Sequence, residues 1–496
     1  MSTYLKIVRE RGLRKVDKKM ISGTYSWKEL LRDFENGNET FVPADAFNNN
    51  LMVSFNQVVK EDIVFETIVS DYDEICEDVK IRWFARVLKV CGYRVLAKYV
   101  GSKETFWIHV LSDTVYPLAD FSAWMKDPKM TNIIYGPPSS VGKAFQADMP
   151  GFTKKAIDSE VVGKLCLGTG YELSKIDLTH ARFLVGQRLE LLNYNDSTEI
   201  RVARIQEVCG RRLKVLIMKE DYPEALPNSD EDRQVYGKKS EYWIDEESFL
   251  IFPVGFAAYN KYKLCAKDDY VEHTRAIAEA LERGEEPDYH PDDIGFNDLS
   301  REPVDKNLWD LVKVGMKFEL IDPLAQSFKN LRVATVMDLM KSDGYMVIGV
   351  DGPDQQAERL PVHISNVFMF SIGSGAKWGL EVVPPDDYKK AFDWDTYLME
   401  NRAAPLPVHL FRPMPAAERM AKFEIGMHLE AADMCENQFI CPATIKSIHG
   451  RIINVHYDGW ESEYDELYDI DSHDILPVGW CELHNYSLQQ PRTDDY

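Results

Sequence analysis

Tyr457, Trp460 and Tyr464 crowd into a short stretch near the C-terminal end of the chain, just after a β-branched run, and Asp433 precedes them where an earlier run gives way to a loop. Aromatic faces on several sides suit an alkylated ammonium, because the ring quadrupole attracts the cation while its methyl groups leave water. A methylated lysine keeps its positive charge, gives up N–H donors and gains apolar surface. A carboxylate strengthens such a site when an N–H remains, as on mono- and dimethyl-lysine but not on the trimethyl form. The competing reading is ordinary barrel core, the commoner fate of aromatics in short strands. Trp460 sits in an acidic Asp-Gly-Trp turn rather than in a strand, which favours the cage.

These residues belong to a unit that recurs. A hydrophobic-Glu pair appears at Phe65-Glu66, Leu189-Glu190, Phe318-Glu319 and Leu429-Glu430. Each is followed by Ala, then Arg or Thr, then a β-branched residue: 85–87, 203–205, 334–336 and 443–445. A glycine comes next, at Gly92, Gly210, Gly344 and Gly450, and each block ends in an exit such as VYP (115–117), IFPVG (251–255), NVFMF (366–370) or ILPVGW (475–480). Successive signature glutamates are 124, 129 and 111 residues apart, too long for a solenoid unit and suited to a small domain with a linking segment.

Within a block the pattern is strand, glycine turn, strand. ATIKSI and RIINVHY flank His449-Gly450 in the fourth copy, a hairpin signal, and short strands punctuated by Gly and Pro predict a small β-barrel. Helical spacing marks the stretches between: SWKELLRDF (26–34), YVEHTRAIAEALERG (270–284) and DWDTYLMENR (393–402). The expected fold is mainly β with helical arms, four small barrels each carrying an extended, partly helical arm.

The segment 426–482, from GMHLEAAD through CPATIKSIHGRIINVHYDGWESEYDELYDIDSHDILPVGWCE, resembles an MBT (malignant brain tumour) repeat, as does Trp394-x-x-Tyr397-Leu398 followed by AAPLPVHLF. GMKFELID (315–322) and PVGFAAYNKYKL (253–264) look like weaker copies. The resemblance implies a four-repeat, Polycomb-related chromatin protein with Tudor/SH3-like barrels. It divides the chain into a basic leader (1–19), repeat one (20–140), repeat two (141–264), repeat three (265–385) and repeat four (386–496). Family cages place an aromatic, a tryptophan, an aromatic and an aspartate where this chain has Tyr457, Trp460, Tyr464 and Asp433. The companion polar position is Glu436, where relatives often have asparagine, which adds negative charge at the rim.

The other copies act as an internal control. Repeat one has Tyr99, Ser102 and Phe106 at the aromatic positions, with Val69 at that of the aspartate. Repeat two has Ile217, Glu220 and Glu224, with Asn193. Repeat three keeps Asp322 but reads VDGPDQQ (350–356), with proline in place of tryptophan. One complete set in four is expected.

Composition sets the bounds. A chain of 496 residues with 45% hydrophobic and 11% aromatic residues folds as several domains, and it contains no apolar run of the roughly 18 residues a membrane span needs. The opening residues lack the apolar core of a signal peptide. A net charge of -23 repels phosphate backbones and suits a basic partner. Eight acidic residues and no Lys or Arg between Asp458 and Asp474 are expected to draw a basic tail toward the cage. The eight cysteines are scattered, and Cys435 and Cys441 beside His449 and His456 fit no zinc spacing. GPPSSVGKA (136–144) has one residue too many for a phosphate loop, lacks its hydroxyl, and loses two backbone donors at Pro137 and Pro138; it reads as a linker.

The expectation is therefore a monomeric, non-enzymatic nuclear protein without cofactor or metal. It would bind a methylated histone tail, histone H3 lysine 9 first, in transcriptional repression, a site choice resting on the family's association with repression. The alternatives are a scaffold recruiting repressor-complex proteins through repeats one to three, and a reader of a non-histone methyl-lysine.

Overall fold

The computed structural model describes residues 24–47, 59–72, 81–110, 112, 114–116, 133–141, 182–193, 196–218, 221, 241–324, 328–356 and 358–492. The basic leader, Cys76, Cys166, Glu220 and Glu224 lie outside the described residues, as does the end of GPPSSVGKA. Four six-stranded sheets share one five-strand topology, and the sixth strand pairs parallel with the second of the five in the first three sheets and with the first of the five in the fourth. In the fourth, β1 (Thr40–Phe41) pairs parallel with β2 (Met427–Ala432), and β2, β3 (Ile440–His449), β4 (Ile452–Tyr457) and β5 (Glu466–Asp469) form an antiparallel meander. The short β6 (Ile475–Leu476) returns to β2.

β3 and β4 are the hairpin expected around Gly450, whose φ of 60° only glycine adopts at low cost. A β-bulge between Ile445 and Ser447 bends β3, and the same irregularity falls between Val87 and Lys89 and between Val336 and Asp338. The extra residue increases twist and lets a short sheet curl on itself. Register confirms the alignment of the repeats: Ala443 faces Tyr457, Ala85 faces Tyr99, and Ala334 faces Val350.

The recurrent glutamate is structural. Glu430 accepts hydrogen bonds from the N–H groups of Gly479 and Cys481, both at 2.8 Å, at the start of the exit helix Trp480–His484. Glu319 does the same for Gly373 and Gly375, and Glu190 for Gly255 and Ala257. These exit glycines have φ near +90° (Gly255 93°, Gly373 89°, Gly479 92°), which explains the glycine of the PVG exit. A fully buried carboxylate is tolerable because the otherwise unpaired donors of a helix end converge on it.

The expected helices form at Lys28–Glu35, Asp268–Glu282 and Trp394–Glu400. Their docking departs from their place in sequence. The Trp394 indole donates to Glu319 of the preceding barrel, and the Tyr270 hydroxyl lies 3.5 Å from Glu190 of the barrel before its own. Both of these arms thus seat on the barrel upstream. Barrel four is served by the arm that opens the chain: Trp27 donates to Glu430, and β1 joins its sheet. One hydrophobic core accordingly runs through the first arm, barrel one and barrel four, from Trp27 and Leu31 through Val87 and Val95 to Leu429 and Ile453.

Candidate functional site

Tyr457 ends β4. Asp458 and Gly459 turn the chain, with Gly459 at φ 79°, and the Trp460 N–H closes the turn on the Tyr457 carbonyl at 3.0 Å. A 3-10 turn at Ser462–Tyr464 then brings Tyr464 back toward the tryptophan. The two rings meet edge to face, with centroids 5.3 Å apart at 75°. Trp460 is half-buried and Tyr464 is 45% exposed. The guanidinium of Arg492 lies 4.1 Å from the Trp460 ring centroid, a cation already on one aromatic face of the site.

Asp433 leaves the end of β2 with its N–H bonded to the Phe439 carbonyl. Its Oδ1 accepts from the N–H groups of Cys435 and Glu436, both at 2.8 Å, an Asx turn that fixes the carboxylate. Glu436 is held in turn by Gln438. Asp433, Cys435 and Glu466 each place a side-chain atom within 4.8 Å of the others.

Tyr457 differs from the expectation of an open wall. It is 3% exposed and packs in the barrel core, as the competing core reading had it. Its hydroxyl donates to Glu466 Oε2 at 2.5 Å and sits 2.5 Å from the Tyr468 hydroxyl. Burial pushes both phenols well above their ordinary range. Glu466, 4% exposed, is pushed up to about 7 by burial and by the neighbouring Asp433. Sequence reasoning missed Glu466 and Tyr468 as parts of this floor. The available signal was the period of two in DELYD, which turns both to one side of β5.

One expectation about the surroundings needs correction. Most of the acidic run is spent inside the fold. Asp465 pairs with Lys446 at 2.5 Å and with His456, Asp469 with Arg451, and Asp471 with Arg412, Arg419 and Arg451. Exposed charge close to the rings comes down to Glu461 and Glu463. His449 and His456 turn away from Cys435 and Cys441, toward the Trp378 carbonyl and Asp465.

Among the described residues, several side chains at the corresponding places in the other repeats are taken up by contacts of their own. Ser102 is buried and its hydroxyl bonds Ser140, which seats the start of the GPPSSVGKA segment against barrel one. Tyr99 and Phe106 pack on each other at 4.5 Å. Asn193 donates to Glu199. In repeat three Val350 is buried in the barrel core with Phe318 and Ala334.

The sequence pattern of the mbt repeat matches residues 187–271, 316–389 and 427–495. The protein lin-61 of Caenorhabditis elegans is 54% identical over the whole of this chain and 80% of its own length. The chain belongs to the MBT repeat family. A second C. elegans relative, malignant brain tumor repeat protein 1, is 36% identical over 97% of this chain and 89% of its own. The crystal structure of the four MBT repeats of Drosophila melanogaster Sfmbt, in complex with the peptide RHR(me)KVLR, superposes with a TM-score of 0.75 at 26% identity. It covers 95% of this chain and 99% of that one. The sheet at Val64–Tyr135, outside the sequence match, shares the five-strand topology of the other three and is the remaining MBT repeat.

Proposed function

We propose that this MBT protein is a nuclear chromatin reader that takes a methylated lysine of a histone tail into the site formed by Asp433, Tyr457, Trp460 and Tyr464. The observation that carries this reading is the edge-to-face Trp460–Tyr464 pair that follows β4, together with an Asp433 carboxylate fixed by its Asx turn and close to Glu466, the partner of Tyr457. Two aromatic rings and an anion suit an alkylated ammonium that retains an N–H, so the mono- and dimethyl forms are favoured over the trimethyl form. The related Sfmbt repeats bind a methyl-lysine peptide, which supports the ligand class. Histone H3 lysine 9 is the site proposed, with transcriptional repression as the outcome.

Each aromatic face contributes about 0.5–2 kcal/mol, and ordering a flexible tail costs several kcal/mol. Affinity in the micromolar range or weaker follows. The test is a titration with H3-tail peptides carrying lysine 9 unmodified, mono-, di- or trimethylated. Binding that rises from the unmodified to the mono- and dimethyl peptides is expected. Equal affinity for all four would contradict the reading and direct attention to repeats one to three as docking surfaces.

A further inference from the structure

Beneath the cage lies a cluster of oxygens with more close contacts than its hydroxyl protons can serve. Tyr457 Oη is 2.5 Å from Glu466 Oε2 and 2.5 Å from Tyr468 Oη. Tyr468 Oη is also 2.6 Å from the Ala432 carbonyl oxygen and 2.7 Å from Glu466 Oε2. Each such oxygen–oxygen approach requires a hydrogen between the atoms. The two phenols supply two for these four contacts, and the Ala432 carbonyl supplies none. A carboxyl proton on Glu466 supplies a third, which leaves one contact to share a hydrogen instead of two. The Met434 N–H adds a donor to the same Oε2 at 3.1 Å, which a carboxylic acid oxygen also accepts.

The surroundings agree with a neutral Glu466. It is 4% exposed, and Asp433 approaches it in the same small space, where two like charges are costly. The titratable groups around Glu466 are Asp433 and Cys435 from the loop after β2, Cys441 on β3, Tyr457 on β4 and Tyr468 on β5. None of them is a cation. A methylammonium entering between Asp433 and the rings would be the missing positive charge.

We propose that Glu466 is a fifth determinant of the cage, a buried carboxyl that is protonated in the free protein and releases its proton to solvent as the methylated ammonium binds. The balance is one proton out for one cation in, with no bond made or broken except the carboxyl O–H. This inference rests on the reading of the site as a methyl-lysine cage, and it makes the cage sensitive to pH near neutrality. It also ties discrimination to charge: the cation must be close enough to Asp433 to relieve the pair, which favours the smaller methylation states.

The experiment is calorimetric titration of the full chain with a dimethyl-lysine-9 H3 peptide, in buffers of different ionisation enthalpy, at pH values from 6 to 8. Proton release of a large fraction of one equivalent is expected below pH 7, with Kd falling by up to about tenfold per pH unit there and levelling off above pH 8. Glu466→Gln keeps the hydrogen-bond donor of the acid and cannot ionise. It is expected to bind no more tightly than the native protein does at pH 6, with neither buffer nor pH dependence. Native binding without proton release overturns the proposal while leaving the cage reading standing, and this arm does not depend on the variant folding. Full pH dependence persisting in Glu466→Gln also overturns it and transfers the effect to His428, which lies 3.7 Å from Asp458 and bonds Glu39. Absence of binding to the dimethyl peptide at any pH removes the cage reading together with the proposal.

Discussion

The indole N–H of Trp27 reaches Glu430 Oε1 at 3.0 Å across 403 positions of the chain, so the arm that opens the molecule completes the barrel that closes it. Trp27 is buried, as are Phe41 and Val42 beside it, and Tyr25 hydrogen-bonds the Leu488 carbonyl. The fourth repeat is therefore incomplete without residues from the other end of the sequence. Trp27→Ala should destabilise the protein by about 3–5 kcal/mol, the range for emptying a buried tryptophan site. Chemical denaturation measures it, and hydrogen exchange should locate the loss in residues 427–457 as well as in the arm.

Gly92 turns the first hairpin at φ 55°, and a Cβ there would run into the Val478 carbonyl oxygen of the repeat-four exit. The turn thus touches the exit of another repeat, and both the dihedral and the packing demand glycine. Gly92→Ala is expected to lower Tm by several degrees and to raise exchange at Val478–Trp480. An unchanged Tm would show that the two repeats do not share this contact.

Tyr464 and Tyr457 should separate in their behaviour. Tyr464 is exposed and Tyr457 is core, bonded to Glu466. Tyr464→Ala should weaken binding of a dimethyl-lysine peptide by roughly two- to thirtyfold, one aromatic face, with stability unchanged. Tyr457→Ala should lower stability by several kcal/mol and lose binding with it. Melting curves run beside peptide titrations make the distinction.

The stability of the free protein carries a pH signature from Glu466, whose carboxyl is pushed up to about 7 from its ordinary 4.5. A carboxyl raised in the folded state contributes fully below its unfolded value and loses that contribution as pH climbs through the folded one. The native protein should therefore lose on the order of 3 kcal/mol relative to Glu466→Gln between pH 4.5 and pH 8. The difference in Tm between the two proteins at pH 5 and at pH 8 measures this. A difference that does not move with pH would contradict a raised Glu466.

Much of this was legible in the sequence because the repeat supplies its own alignment. The signature glutamates and turn glycines recur four times and the PVG exit twice, and their spacing announced barrels, hairpins and arms correctly. Trp460 was legible as a surface tryptophan from its turn. The swap of arms was not, since helical periodicity in 26–34 or 393–402 says which face is apolar and not which barrel it meets. The fate of the acidic run was hidden for a similar reason: the partners of Asp471 are Arg412, Arg419 and Arg451, which only the fold assembles. Glu466 was passed over because a single acid among eight looks like solvated charge until its neighbours are known.

The central claim is that Trp460 forms a wall of a methyl-lysine site, and Trp460→Ala tests it most directly. Binding of a dimethyl-lysine-9 H3 peptide should fall by about tenfold or more, with Tm unchanged because the ring is only half-buried. Undiminished methyl-dependent binding by a folded Trp460→Ala protein would contradict the account and place the site elsewhere in the chain.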